Sequence, residues 1–267
     1  MTTPLPLNRE LTFRYGAADA LSPLVRRVVA NNPSPFTFKG TGTYIVGRGN
    51  VAVIDPGPLD DAHVAAILAA TAGETITHIL ITHTHYDHSP AAAPLKARTG
   101  AKTYGYGPHG KARPESDVKV EEGGDMAFVP DVPARDGDVI AGAGWTIDCV
   151  FTPGHTSNHM CFALREERAL FPGDHVMGWS TTVVSPPDGD MRAYMASLDR
   201  LAARDDALYY PTHGAPIGGD HDALKRNPQD FVRALKKHRQ EREAQILDCH
   251  ARGLSRIASF VQGDAFD

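Results

Sequence analysis

ITHTHYDHSP, residues 81–90, decides how this chain is read. Three histidines and an aspartate (His83, His85, Asp87 and His88) fall within six positions, directly after the apolar run THILIT at 77–82. That run reads as a buried strand. Ser89 and Pro90 read as the N-cap and first residue of a helix through Arg98, and Gly100 reads as its stop. The cluster therefore belongs on a loop between the C-terminal end of a strand and the next helix. In layered α/β folds that is where ligands bind.

Neutral imidazoles and carboxylates are the ligands of zinc and similar ions. Two-residue spacing lets alternate side chains point into one cavity. His83 and His85 can converge on one ion, and Asp87 and His88 can reach a second beside it. Four residues do not close two sites, so the rest of the chain must contribute. His155 in TPGHTSNH, Asp174 in LFPGDH and His213 in YPTHG each follow an apolar strand and sit beside a Gly-containing turn. A chance surface cluster of histidines is the competing reading. Seven ligand-type residues, all at predicted strand ends, argue against it.

Outward from the cluster, the chain reads as alternating short elements. TYIVG and VAVIDPG, joined by a Gly-Arg-Gly-Asn turn, predict a hairpin. DDAHVAAILAA at 60–70 predicts a helix with acidic residues at its start. LTFRYG at 11–16 predicts a short strand. WTIDCVF and HMCFALREERALF predict strands, 191–204 a helix, and LYYP a strand leading into His213. Asn227 and Pro228 predict the cap and start of a long helix to about residue 251. No repeat or low-complexity tract is present.

The bulk composition narrows the class. The 267 residues suit one large domain, or one domain with a small appendage. With 42% hydrophobic and 22% charged residues, the chain can bury an ordinary core. A net charge of −5 by itself implies neither a nucleic-acid nor a membrane partner. The first residues, MTTPLPLNRE, lack a signal-peptide pattern, and no window is apolar enough to span a bilayer. Cys149, Cys161 and Cys249 show no CxxC spacing and fit reduced thiols. A cytoplasmic protein is expected.

The five motifs VAVIDPG, THTHYDH, PGHT, FPGDH and PTHG, in that order, resemble those of the metallo-β-lactamase-fold hydrolases over roughly residues 25 to 250. The resemblance implies an α/β fold: an αββα four-layer sandwich of two mixed sheets with helices outside, the metals lying at one edge. It implies a catalytic domain over 1–225 and a C-terminal helical segment over 226–267. It also implies that His83, His85 and His155 hold one metal, that Asp87, His88 and His213 hold a second, and that Asp174 bridges them. Two Zn2+ per chain are expected, with Fe or Mn as other occupants. Asp87 and Asp174 are the expected catalytic carboxylates.

Two metals about 3.5 to 4 Å apart lower the pKa of a bridging water, so a metal-bridging hydroxide is the expected nucleophile of a dinuclear hydrolase. No GxSxG motif offers a serine instead. An Asp at 174, where the commonest β-lactamase subclass has Cys, looks like the thioesterase and nuclease branches. The full histidine set disfavours an oxygen-reducing di-iron relative. Residues 225–242 carry seven basic residues against two acidic ones, and TSNHM, DMRAYMASLDRL and HRQEREAQIL resemble the branch of the organellar β-lactamase-like endoribonuclease. In that branch the last helix leads into a winged-helix-like module, here short or missing. The expectation leans to phosphodiester cleavage of single-stranded RNA. The alternatives are a glyoxalase II-type thioester hydrolase, a promiscuous β-lactam or lactone hydrolase, and a non-catalytic metal-binding regulatory protein, with a small-molecule ester or thioester as the substrate in place of RNA. The oligomeric state is open, with a homodimer one candidate.

Among the remaining residues, His78 and Tyr194 are expected in the core. His159 and His175 are expected near the site or in structural roles. The loop WSTTVVSPPDGD is a candidate cleft wall. His63, His109, His221, His238 and His250 are expected to be solvated.

Overall fold

A computed structural model describes residues 4–110 and 122–253. In the first sheet, β1 (Ala18–Ala20), β2 (Val25–Val29), β3 (Gly42–Val46) and β4 (Asn50–Ile54) run as an antiparallel meander. α1 (Asp61–Ala70) then crosses over to β5 (Thr75–Leu80), and α2 (Ala92–Thr99) to β6 (Lys102–Gly105). β4, β5, β6 and β7 (Val132–Pro133) pair in parallel, and strand order equals chain order throughout. In the second sheet, β8 (Val139–Gly142), β9 (Trp145–Phe151), β10 (Met160–Leu164) and β11 (Ala169–Phe171) are antiparallel. Following α3 (Met191–Ala202), β12 (Leu208–Tyr209) adds to β11 in parallel. The chain closes with α4 (Pro228–Ala251).

The strand period explains the layers. In β3, Tyr44 and Val46 enter the core between the two sheets with Ile54, Trp145, Ile147, Phe162, Leu164 and Phe171. Ile45, between them in sequence, points to the other face and meets Val64 and Ile67 of α1 and Leu95 of α2. On the second sheet, Val150, Cys161 and Ala163 pack under Leu198 and Leu201 of α3 and Phe231, Val232 and Leu235 of α4. Each Val, Leu, Ile or Phe among these contributes about 1.5–3 kcal/mol on burial. The layers are helix, sheet, sheet, helix: the expected sandwich. Among the described residues no helix is long and apolar enough to cross a membrane.

Some local expectations fail. Residues 11–16 form no strand; the first is Ala18–Ala20, paired to β2. α2 begins at Ala92, without a side-chain cap, because the Ser89 hydroxyl donates to Asp125 Oδ2 at 2.7 Å instead. His63 and His109 are buried rather than solvated. His78 is half-buried, edge-on to Trp145. The expected cap at Asn227 forms, accepting from Asp230 N–H, and Asp60 also caps α1, accepting from Ala62 N–H. Gly100 ends α2 at φ 72. The winged-helix-like expectation for the last residues falls largely on 254–267, outside the described residues.

Candidate metal centre

The seven residues meet at one edge of the sandwich, beyond the ends of four strands. His83, His85, Asp87 and His88 follow β5; His155 follows β9; Asp174 follows β11; His213 follows β12. All seven are buried. Hydrogen bonds fasten these loops across the sheets: Met160 N–H to Thr82 O at 2.7 Å, Gly42 N–H to Thr212 O at 2.8 Å, and Tyr44 O–H to Pro211 O at 2.6 Å. Gly173, with φ +53, turns the chain into Asp174, and a Cβ there would lie 2.7 Å from His159 Nε2 and 2.8 Å from Thr82 Oγ1.

The donor atoms fall into two overlapping groups. His83 Nε2 lies 3.0 Å from His85 Nδ1, which lies 3.1 Å from His155 Nε2. Tetrahedral zinc with Zn–N near 2.0–2.1 Å separates its nitrogen ligands by roughly 3.3 Å, so this trio has the right span. On the other side, Asp87 Oδ2 lies 3.0 Å from His213 Nε2 and 3.3 Å from His88 Nε2. Asp174 turns Oδ1 toward His88 and His213, at 3.5 and 3.3 Å, and Oδ2 toward His155 at 3.8 Å. The described residues contain three groups able to hold an ion: His83, His85 and His155; His83, His88 and Asp174; and Asp87, His88 and His213.

Two observations test whether a cation fits. Buried polar atoms normally find partners. Yet Asp87 Oδ1 and Oδ2, His88 Nε2, Asp174 Oδ1 and His213 Nε2 make no hydrogen bond despite facing one another. Charge points the same way. Burial by itself would lower the pKa of His88, but Asp87, Asp174 and Asp55 outweigh it and hold the imidazole well above its usual value. Likewise burial opposes but Asp174 and Asp87 carry His213 up to about 10. The carboxylates demand positive charge between them. On the other side, burial keeps His83, His85 and His155 neutral, the form in which imidazole binds a metal.

Outer contacts fix which nitrogen faces inward. Val183 O lies 2.6 Å from His155 Nδ1, and Gly40 O lies 3.2 Å from His213 Nδ1. A carbonyl only accepts, so both Nδ1 atoms carry protons and both Nε2 atoms turn to the centre. His88 Nδ1 faces Asp55 Oδ2 at 2.9 Å. Asp55 also accepts from Thr82 N–H at 2.8 Å, Thr82 O–H at 2.7 Å and Thr212 O–H at 3.2 Å. The VAVIDPG motif marks this segment in the sequence without assigning Asp55 a role. An aspartate at a strand end before Pro-Gly was the available signal. His159 stacks on His83, with ring centroids 5.2 Å apart, and is tied to Thr152 Oγ1. His175 packs on Tyr194, which is buried as expected.

The cleft over the centre is lined by Phe36, Glu122, Met177, Trp179, Thr181 and Val183, among others. The loop after Asp174 is thus a cleft wall. Two larger concavities, about 520 and 610 Å3, contain none of the seven residues.

A sequence model of the metallo-beta-lactamase superfamily matches residues 37–213. The chain belongs to that superfamily. The atrochrysone carboxyl ACP thioesterase of Aspergillus fumigatus is 34% identical over 86% of this chain and 65% of its own length. The lactamase-like protein adaB of Aspergillus niger is 33% identical over 92% of this chain and 70% of its own length. The chain thus spans about two thirds of the length of these relatives. Among solved structures, a metallo-beta-lactamase family protein from Thermus thermophilus superposes with a TM-score of 0.66 at 25% identity, covering 85% of this chain and 83% of that one. A beta-lactamase domain protein from Burkholderia ambifaria reaches 0.71 at 21% identity, covering 90% and 80%. Membership in the metallo-beta-lactamase superfamily agrees with the expected fold and with a metal-dependent hydrolase.

Proposed function

We propose that this chain hydrolyses acyl thioesters at a dinuclear metal centre, with zinc the expected metal. His83, His85 and His155 would hold one ion, Asp87, His88 and His213 the second, and Asp174 both. The observation that carries the metal reading is the set of partnerless carboxylate and imidazole atoms converging on one point. When bound, the ions would supply a Lewis acid for the scissile carbonyl and a water of lowered pKa.

The chain's own residues do the rest. Asp55 keeps the His88 ring oriented, and Val183 O does the same for His155. Burial opposes, but His88 and His213 hold the Asp87 carboxyl well below the usual carboxylate range, so it stays ionised and can orient an attacking water by accepting its hydrogen bond. Phe36, Met177, Trp179 and Val183 give the cleft an apolar wall suited to an acyl group. A cysteine nucleophile is disfavoured: burial pushes the Cys161 thiol up to about 12.

Two things favour a thioester over RNA. Relatives bear the name ACP thioesterase. The basic run at 225–242 is also largely occupied: Arg226 pairs with buried Asp222 at 2.8 Å, Arg233 with Asp230 at 2.8 Å, Lys236 with Asp199, and Lys237 with Glu241 at 3.7 Å. A track for a polyanion would need free charge.

The test is a hydrolysis panel on zinc-loaded protein: an acyl N-acetylcysteamine thioester, S-lactoylglutathione, nitrocefin, a lactone, a bis-aryl phosphodiester and labelled single-stranded RNA. Thiol release that a chelator abolishes is expected. Cleavage of RNA or the phosphodiester without thiol release would reinstate the nuclease expectation. Bound zinc with no hydrolysis at all would favour a regulatory protein.

A further inference from the structure

The loop after Asp174 holds both sides of the centre from behind. Buried Thr182 turns its hydroxyl to two carbonyls, Asp174 O at 2.8 Å and His175 O at 3.1 Å. The Tyr194 hydroxyl donates to the same His175 O at 3.0 Å. The carbonyl of the next loop residue, Val183, accepts a hydrogen bond from His155 Nδ1–H. A shift of residues 182–183 would therefore disturb the backbone of Asp174 and the ring of His155 together.

One side chain from α4 grips this loop. Arg239 donates from Nη2 to Thr182 O, and its guanidinium carbon lies 5.7 Å from the centroid of the Tyr194 ring. It thus touches both residues that hold His175 O. Most of the basic run on α4 ends in ion pairs at the surface, but Arg239 reaches inward. We propose that Arg239 is a positioning residue for the metal centre. It acts through Thr182 and Tyr194 on Asp174, and through the Val183 carbonyl on His155. A lysine keeps the charge but lacks the planar fork that can meet a carbonyl and a ring at once. The inference rests on the metal-centre reading above and is independent of which bond is hydrolysed.

The test is zinc affinity of the full chain, measured by competition with a chromophoric chelator, beside circular dichroism and melting of the metal-free protein. Outer residues of metal sites typically change affinity about 10- to 100-fold. Arg239→Met is expected to weaken zinc binding at least ~10-fold with the fold intact, and Arg239→Lys less. Thr182→Val should match Arg239→Met, and the double variant should be no weaker than the weaker single, because both act through one loop. Lys237→Met, on the same helix but exposed, should bind like the parent. Zinc affinity of Arg239→Met within about twofold of the parent, or additive losses in the double variant, would overturn the proposal. If Arg239→Met does not fold, the Arg239→Lys and Thr182→Val pair carries the same comparison. A parent protein that binds no zinc would overturn the metal-centre reading and this one with it. Normal parental binding with no effect of the variants overturns this one alone.

Discussion

Asp55 Oδ2 lies 2.9 Å from His88 Nδ1, and neither residue is open to solvent. The carboxylate comes from the end of β4 and the imidazole from the loop after β5, strands that run in parallel. Asp55 thus fixes which face His88 presents to Asp87, Asp174 and His213. Asp55→Asn should keep the shape but remove the charge behind His88, leaving an NH2 donor where Oδ2 accepts from Thr82, Thr212 and His88. Zinc affinity, read by chelator competition, should fall about 10- to 100-fold, with hydrolysis following it. Unchanged affinity would show that Asp55 serves the fold alone.

Asp174 faces both donor groups, one oxygen to each side. Asp174→Ala should reduce bound metal from two ions to one or fewer, with hydrolysis down at least ~100-fold. Metal analysis after desalting, paired with rate measurements, checks this. Two tightly held ions and full activity in the variant would remove Asp174 from the bridging role.

His63 sets a pH dependence of stability. The Thr43 hydroxyl donates to Asp55 O at 2.7 Å, so its oxygen accepts from His63 Nε2 at 2.8 Å. His63 Nδ1 is left buried without a partner. Burial, only partly offset by Asp60, lowers the pKa to about 4. The unfolded value is about 6.5, so between those limits the unfolded chain binds more protons. Stability from this group is therefore intact above pH 6.5, is lost as pH falls toward 4, and levels off below. The loss is on the order of 3 kcal/mol. Urea unfolding at several pH values should give a shallower slope for His63→Gln than for the parent; parallel slopes would refute the assignment.

Gly173→Ala tests the turn before Asp174. The φ of +53 costs an alanine about 1–2 kcal/mol, and the new Cβ would meet His159 Nε2 at 2.7 Å and Thr82 Oγ1 at 2.8 Å. Both neighbours are held, His159 by Thr152 and Thr82 by Asp55, so neither can yield. A total loss of at least about 2 kcal/mol is expected, together with weaker zinc binding. An unshifted denaturation midpoint would count against it.

The two-sheet fold came with the family resemblance of five motifs, while local patterns in the chain gave the short strands, their turns and the seven ligand-type residues at strand ends. Those local features rest on short-range rules: period-two burial in TYIVG and VAVID, Gly and Pro turns, and two-residue spacing in HTHYDH. What the sequence by itself did not determine are the contacts between distant residues. Asp55 reaches His88 across 33 positions, Ser89 leaves its expected cap for Asp125 across 36, and Arg239 reaches Thr182 across 57. His63 and His109 looked like solvated histidines because nothing local marks the threonines that receive them, Thr43 and Thr84. Such contacts depend on strand register and on how far each helix is rotated about its axis. No single segment encodes either; both are set only when the layers pack, by the tertiary structure.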